Sequence, residues 1–131
     1  MKSLVPLYGL LGIALAGVPM VGVGAEQTSN DVEMINLAQS SGCVTCHSIA
    51  AGGKGPNGLK PIGPAWQKVA EKYRGRPEAK QELTQTVLKG SSPYQSHWKG
   101  EVSGVAMPPN SAVLNEEQAD QLVGWILHLA D

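Results

Sequence analysis

The apolar residues of this chain recur at helical spacing in several stretches that glycine and proline separate. The clearest stretch follows Pro64, where Trp66, Val69, Ala70 and Tyr73 lie at i, i+3, i+4 and i+7. Pro64 fits the first turn of a helix, and Gly75 ends the pattern. No segment alternates apolar and polar residues as a strand does, so the pattern predicts an all-α fold.

Three further helices are predicted from start and stop signals. The first begins near Asn30, with Glu33 three residues later in the arrangement of a capping box. Pro77 opens the third helix and Gly90 closes it. The last begins at Asn115, with Gln118 completing a capping box. The residues predicted to face the core are Met34, Leu37 and Ala38 in the first helix, Leu83, Val87 and Leu88 in the third, and Ala119, Leu122, Val123, Ile126 and Leu129 in the last.

Residues 1–25 have the pattern of a signal peptide. Lys2 is the only charged residue before Glu26, residues 4–20 are mainly apolar, and residues 23–25 (Val-Gly-Ala) resemble a signal-peptidase site. We therefore predict two segments, a signal peptide over residues 1–25 and one domain over residues 26–131, and a periplasmic location. The alternative is an uncleaved anchor, which would attach the protein to a membrane.

The net charge of the chain is −1, and no stripe of basic residues is present. The sequence therefore gives no indication of nucleic-acid binding.

The strongest chemical signal is the pentapeptide Cys43-Val44-Thr45-Cys46-His47, the attachment pattern for covalent haem. Two cysteines three residues apart project to one side of a helical turn, where each thiol can form a thioether with a haem vinyl group. A structural zinc site would need four ligands, and the chain has only two cysteines. A thiol redox pair would be expected beside βαβ units, and a disulfide here would close a very short loop.

The partner of His47 on the iron would come from elsewhere in the chain. Met34 lies on the core stripe of the first helix, which favours packing. Met107 lies in a loop that two prolines stiffen directly after it, which suits a weak thioether ligand, although it could also fill a gap beside a turn. His97, in a polar loop, and His128, near the end of the last helix, remain weaker candidates.

Taken in order, four motifs resemble class I cytochrome c, in particular the small bacterial periplasmic monohaem type similar to cytochromes c-551 and c-552. They are residues 43–47, residues 62–66 (Ile-Gly-Pro-Ala-Trp), residues 107–110 (Met-Pro-Pro-Asn) and residues 125–127 (Trp-Ile-Leu). The resemblance covers about residues 30–130. It implies four or five helices wrapped around one haem c that is bound covalently through Cys43 and Cys46.

The resemblance also implies roles for single residues. His47 and Met107 would be the axial ligands, and the Pro64 carbonyl would accept a hydrogen bond from His47 Nδ1–H. Trp98 would donate its indole N–H to a haem propionate, the alternative being an exposed aromatic residue.

Two departures from the family concern loops and packing. Residues 50–61 and 91–97 are longer than in the shortest members. No aromatic residue lies between Glu26 and Cys43, so we expect Trp125 to meet Leu37 or Ala38 instead.

With both axial positions filled, we expect a one-electron carrier that cycles between Fe(II) and Fe(III) and acts between respiratory donor and acceptor proteins. Such a protein is not an enzyme and has no small-molecule substrate, and its redox partners bind transiently. Two alternatives remain at this point. One is a haem c subunit of a larger oxidoreductase, and the other is a haem sensor or enzyme whose sixth site is open.

Overall fold

The computed structural model describes residues 24–94 and 96–129. Four α-helices lie in these ranges, and no strand occurs in them: α1 is Gly24–Ser40, α2 is Trp66–Tyr73, α3 is Ala79–Lys89 and α4 is Glu116–Leu127. Short 3₁₀ turns occur at Cys43–Thr45 and Pro56–Gly58. The all-α prediction is confirmed. The predicted signal peptide lies almost entirely outside the described residues and stays a prediction.

Helix α4 is the centre of the fold, because it packs against α1, α2 and α3. Its start agrees with the prediction: Asn115 accepts from the Gln118 backbone N–H at 2.8 Å, and the Gln118 side chain accepts from the Asn115 N–H at 3.1 Å. This capping box satisfies two N–H groups that the first turn would otherwise leave unpaired. The buried residues of α4 are Ala119, Leu122, Val123, Trp125 and Ile126, and Leu129 beyond it is partly buried.

The predicted start of the first helix is wrong, because α1 already begins at Gly24. Asn30 lies within the helix and is exposed. Residues 25–27 (Ala-Glu-Gln) are good helix formers, so the helix does not need Asn30 as its first cap. Met34 and Ala38 are buried one turn apart, as the apolar pattern predicts.

Helices α2 and α3 follow the predicted pattern with small differences. All four residues of the α2 stripe are buried. Helix α3 begins at Ala79, two residues after Pro77. Its fully buried residues are Ala79 and Thr84, whereas the predicted Leu83, Val87 and Leu88 are only partly buried. Thr84 avoids an unpaired hydroxyl because its Oγ1–H donates to the Lys80 carbonyl at 2.8 Å.

Trp125 joins α4 to α1 and α2. Its indole Nε1–H donates to Asp31 Oδ1 at 2.7 Å, and its ring meets the Trp66 ring edge-on at 5.7 Å between centroids. Trp125 shares the core cluster with Ala38, and Leu37 packs against that cluster. Trp125 therefore lies in the same core as Ala38 and Leu37, as expected. Its hydrogen bond to Asp31 could not be predicted from the apolar periodicity.

Among the described residues, none of the helices combines the length and the apolar character needed to cross a bilayer.

Candidate functional site

Both cysteines follow directly after the first helix. The chain leaves α1 through Gly42, whose φ of 76° is a left-handed conformation that glycine adopts without strain. The 3₁₀ turn Cys43–Thr45 follows, and the N–H groups of Cys46 and His47 both donate to the Cys43 carbonyl, at 3.2 and 3.1 Å. This tight turn presents the two thiols and the imidazole as one compact unit.

Cys43 lacks the lowered pKa that is typical of a reactive redox thiol. Both cysteines are free and partly buried. Burial raises the pKa of the Cys43 thiol, a backbone hydrogen bond opposes this, and the neighbouring Cys46 raises it slightly further. Redox-active cysteines have a lowered pKa, so the environment of Cys43 does not favour the thiol redox alternative.

His47 is fixed by the backbone of the segment that precedes α2. Its Nδ1 lies 2.8 Å from the Pro64 carbonyl oxygen, so Nδ1–H donates and Nε2 keeps its lone pair. Burial lowers the pKa of His47, and the Pro64 hydrogen bond partly opposes that effect. The imidazole also stacks on Trp66, with 5.9 Å between ring centroids and 20° between planes. A neutral, oriented imidazole is the form that binds a metal.

Gly63 allows the His47 ring to approach the backbone. A Cβ at this position would lie 2.7 Å from His47 Cε1 and 2.9 Å from Nδ1, too close for real atoms. The Gly63 N–H donates to the Cys46 carbonyl at 2.8 Å, so the two segments are bonded directly together. Glycine is thus required at the back of the imidazole.

A cavity of about 380 Å³ opens beside the cysteine turn. Its wall is largely apolar and draws on residues from α2, α3 and α4. It is lined by Cys43, His47, Pro64, Trp66, Val69, Tyr73, Glu82, Leu83, Thr86, Val87, Gly90, Ser91, Ser92, Ser96, His97, Trp98, Met107, Leu122, Val123 and Ile126. Leu83 and Val87 pack against the core cluster and also line this cavity, which accounts for their partial exposure.

A second cavity of about 70 Å³ shares Pro64, Ser91, Ser96, Trp98 and Met107 with the first, and Cys46 is among its other lining residues. Each of the six site residues predicted from the sequence therefore lines one or both cavities. The structure brings together segments that are up to 64 positions apart in the sequence (Cys43 to Met107).

Met107 and Met34 have different environments, as predicted. Met34 is 3% exposed and belongs to the core cluster. Met107 is partly buried and lines both cavities, and its backbone is hydrogen-bonded to Ser91. Of the two methionines in the predicted domain, only Met107 lines the cavity that His47 lines.

The two remaining histidines have partners of their own. His128 is exposed at the end of α4, and its Nδ1 bonds to the Gly124 carbonyl at 2.7 Å, consistent with the predicted surface position. His97 is exposed too, but its Nδ1 lies 2.5 Å from the Tyr73 hydroxyl. That contact was not predicted, although a tyrosine on a buried stripe generally needs a polar partner for its hydroxyl.

Trp98 lines both cavities and is partly buried. The Lys72 ammonium lies 4.0 Å from the centre of its ring, and Lys72 Nζ also donates to the His97 carbonyl and pairs with Glu101 at 3.7 Å. Lys72 thus ties the turn that carries Trp98 to α2. No sequence motif had indicated this role.

The donor set suits covalent haem and does not suit zinc. Within residues 24–94 and 96–129, no group of three or more His, Cys, Asp or Glu side chains is placed to hold a metal ion. Cys43 and the neutral His47 imidazole border the larger, mainly apolar cavity, and Cys46 borders the smaller one beside it. This arrangement fits a large flat apolar group whose iron takes a nitrogen ligand. Fold and site together define a class of protein: a small helical protein that holds haem through a cysteine pair.

Comparison with known proteins identifies the family. The family model for cytochrome c matches residues 36–130. Cytochrome c-552 of Hydrogenobacter thermophilus is 33% identical over 112 residues, covering 86% of this chain and 93% of the relative. Cytochrome c-551 of Pseudomonas aeruginosa is 32% identical over 120 residues, covering 92% and 94%. The crystal structure of Nitrosomonas europaea cytochrome c552 superposes with a TM-score of 0.55 at 29% identity, covering 72% of this chain and 98% of that structure.

The chain therefore belongs to the cytochrome c family, and its relatives place it among the small class I members. Proteins of this family bind haem c covalently through a cysteine pair, and Cys43 and Cys46 are the only cysteines here. The protein is a monohaem c-type cytochrome, an electron carrier by family.

Proposed function

We propose that this protein is a periplasmic one-electron carrier whose haem iron is held by His47 and Met107. One observation carries the proposal: the oriented His47 imidazole and the Met107 side chain line the same mainly apolar cavity, next to the cysteine turn. When bound, the haem supplies the Fe(II)/Fe(III) couple. The residues of the chain orient it, exclude water from it and adjust its potential.

His47 acts through its hydrogen bond to Pro64. The carbonyl holds the Nδ1–H tautomer, so Nε2 is the nitrogen available to iron, and the hydrogen bond strengthens imidazole as a ligand. The stacked Trp66 ring and the closely approaching Gly63 backbone limit rotation of the imidazole. A fixed ligand needs little reorganisation when the oxidation state changes.

Met107 and the apolar wall act on the potential in the same direction. A thioether ligand favours the reduced metal more than a second imidazole does, so His/Met ligation raises the potential. Leu83, Val87, Leu122 and other apolar side chains of the wall disfavour the extra positive charge of the oxidised state. No acid, base or nucleophile is needed for this function.

Trp98 is proposed to donate its indole N–H to a haem propionate. Its partial burial in the lining of both cavities supports this role, as does the positive charge of Lys72 over its ring. The cation would also compensate part of a propionate's negative charge.

Ligation by Met107 can be tested by replacing each methionine of the domain separately with leucine. Met107→Leu keeps an apolar side chain of similar volume but removes the sulfur, so the far-red methionine–iron band should disappear and the potential should fall. Met34→Leu, in the core, should keep both and cost under about 1.5 kcal/mol of stability. A Met107→Leu protein that keeps the band would show that Met107 is not the ligand.

Location and partners need separate tests. N-terminal sequencing of the protein recovered from the periplasmic fraction should begin after residue 25, and a chain that starts at Met1 in the membrane fraction would contradict the proposal. We propose transient encounters with one donor and one acceptor protein. Gel filtration of a native extract should therefore give a monomer, whereas a permanent subunit would elute within a larger complex.

A further inference from the structure

The backbone of Met107 is held on both sides by one residue, Ser91. The Met107 N–H donates to Ser91 Oγ at 2.8 Å, and the Ser91 N–H donates to the Met107 carbonyl at 2.9 Å. Both residues are partly buried and both line the two cavities. Ser91, two residues after the end of α3, is therefore bonded to the methionine loop directly at the proposed ligand.

The two hydrogen bonds depend differently on the identity of residue 91. The Ser91 N–H would be present in any residue except proline. The acceptor for the Met107 N–H is a side-chain oxygen, so only a residue with a suitably placed polar atom can provide it. Pro108 and Pro109 follow and have no N–H groups, so the Met107 N–H is the last donor before Asn110.

The surrounding contacts hold the loop close to α3 without fixing the residue that bears the sulfur. Asn110 donates from its backbone N–H and from Nδ2 to the Val87 carbonyl, both at 3.1 Å. Gly90 has a φ of 82°, and a Cβ there would lie 2.8 Å from the Met107 carbonyl oxygen. This close approach brings Ser91 within reach of Met107, and the Ser91 hydroxyl completes the attachment.

We infer that Ser91 is a positioning residue that keeps the Met107 sulfur on the haem iron. The inference rests on the proposed ligation by Met107. A thioether is a weak ligand, so the fraction of molecules in which it has left the iron depends on how firmly the loop holds it. Loss of the Ser91 hydroxyl removes one hydrogen bond from the attached state only. The detached fraction should then rise, and an added ligand should compete with Met107 more effectively.

The experiment is an imidazole titration of the oxidised holoprotein, followed by loss of the far-red methionine–iron band. Ser91→Ala should lower the apparent dissociation constant for imidazole about fivefold, the change expected for one hydrogen bond. Ser91→Thr keeps a hydroxyl and should behave like the wild type. Ser91→Val has the shape of threonine without the hydroxyl. If Ser91→Ala yields no holoprotein, the imidazole affinities of the Thr and Val variants therefore compare the site with and without a hydroxyl at position 91.

A control separates positioning from general loss of stability. Asn115→Ala removes the cap of α4, lowers stability, and leaves the hydrogen bonds of the Met107 loop in place. It should not change the imidazole affinity. The inference is overturned if Ser91→Ala binds imidazole as the wild type does, or if Asn115→Ala strengthens binding equally. If the wild type itself has no methionine–iron band, the proposed ligation fails, and the inference about Ser91 fails with it.

Discussion

Gly63 is the position where adding one methyl group should most directly disturb the haem site. The Cβ of Gly63→Ala would lie 2.7 Å from His47 Cε1, whereas ordinary contacts begin at 3.4 Å. The imidazole or the backbone must therefore move by about 0.7 Å. The ring has little freedom, because Nδ1 is hydrogen-bonded to Pro64 and the imidazole is stacked on Trp66.

These contacts set the loss in the free energy of unfolding that we expect for Gly63→Ala. Overpacking a well-filled site by one methyl group costs roughly 1–3 kcal/mol, and a ring that turns away instead loses a hydrogen bond worth about 1 kcal/mol. Replacing glycine by alanine returns about 0.4–1 kcal/mol by restricting the unfolded chain. We expect a net loss of about 1–2 kcal/mol in the free energy of unfolding, with a shift in the haem absorption bands.

The assay is urea unfolding of the oxidised holoprotein, followed by far-ultraviolet circular dichroism and by the visible spectrum. Gly124→Ala is the matched control, because its new Cβ would meet only the end of the flexible Lys80 side chain, at 3.1 Å from Cε. It lies in α4, where alanine is the better helix former by up to about 1 kcal/mol. It should be as stable as the wild type or slightly more so, with an unchanged spectrum.

A Gly63→Ala protein with wild-type stability and wild-type absorption bands would refute this reasoning. It would mean that the His47 ring and the backbone of residues 62–64 relax together at no cost, so the close approach at Gly63 would not orient the ligand.

Three further predictions concern contacts away from the iron. Asp31→Ala should lower the free energy of unfolding by about 1–3 kcal/mol, because the Trp125 indole N–H loses its acceptor, while Asp31→Asn should cost less; chemical denaturation measures both. Burial is the main cause of the raised pKa of the Tyr73 hydroxyl. The stability that the neutral hydroxyl contributes is therefore complete below about pH 10 and is lost as the pH rises through the folded-state pKa. Tyr73→Phe should lose the His97 hydrogen bond, worth about 1 kcal/mol, and should show a smaller loss of stability above pH 10 in a urea series; an equally steep loss would assign it to another group. Asn115→Ala should cost about 1 kcal/mol through loss of the cap, and an unchanged melting temperature would contradict this.

Much of the fold could be predicted because it depends on local patterns. The α2 stripe and the capping box at Asn115 are encoded within a few residues, and both appear as predicted. The start of α1 could not be predicted in the same way. Asn30 is a good cap in isolation, but a helix extends through such a residue when its neighbours favour helix and nothing stops it.

The candidate site was predictable where a motif specifies its chemistry and not where a contact joins distant segments. Five of the six predicted residues belong to short motifs, Trp98 was assigned through the family resemblance, and the structure places all six around two adjoining cavities. Ser91, Lys72 and the Tyr73–His97 pair belong to no motif. Serine, lysine and histidine are common in polar loops, so their types gave no sign of these contacts.

The sequence by itself determined the helical class, the cysteine pair with its adjacent histidine, and hence the covalent haem chemistry. These are local properties, since a thioether needs only a thiol and a helix needs only its period and its caps. The tertiary structure decided that Pro64 and Gly63 restrict the orientation of the His47 ring, and that Ser91 is the residue hydrogen-bonded to the Met107 backbone. Such contacts depend on the separation of backbones that are far apart in the chain, and a difference of under 1 Å decides whether they form.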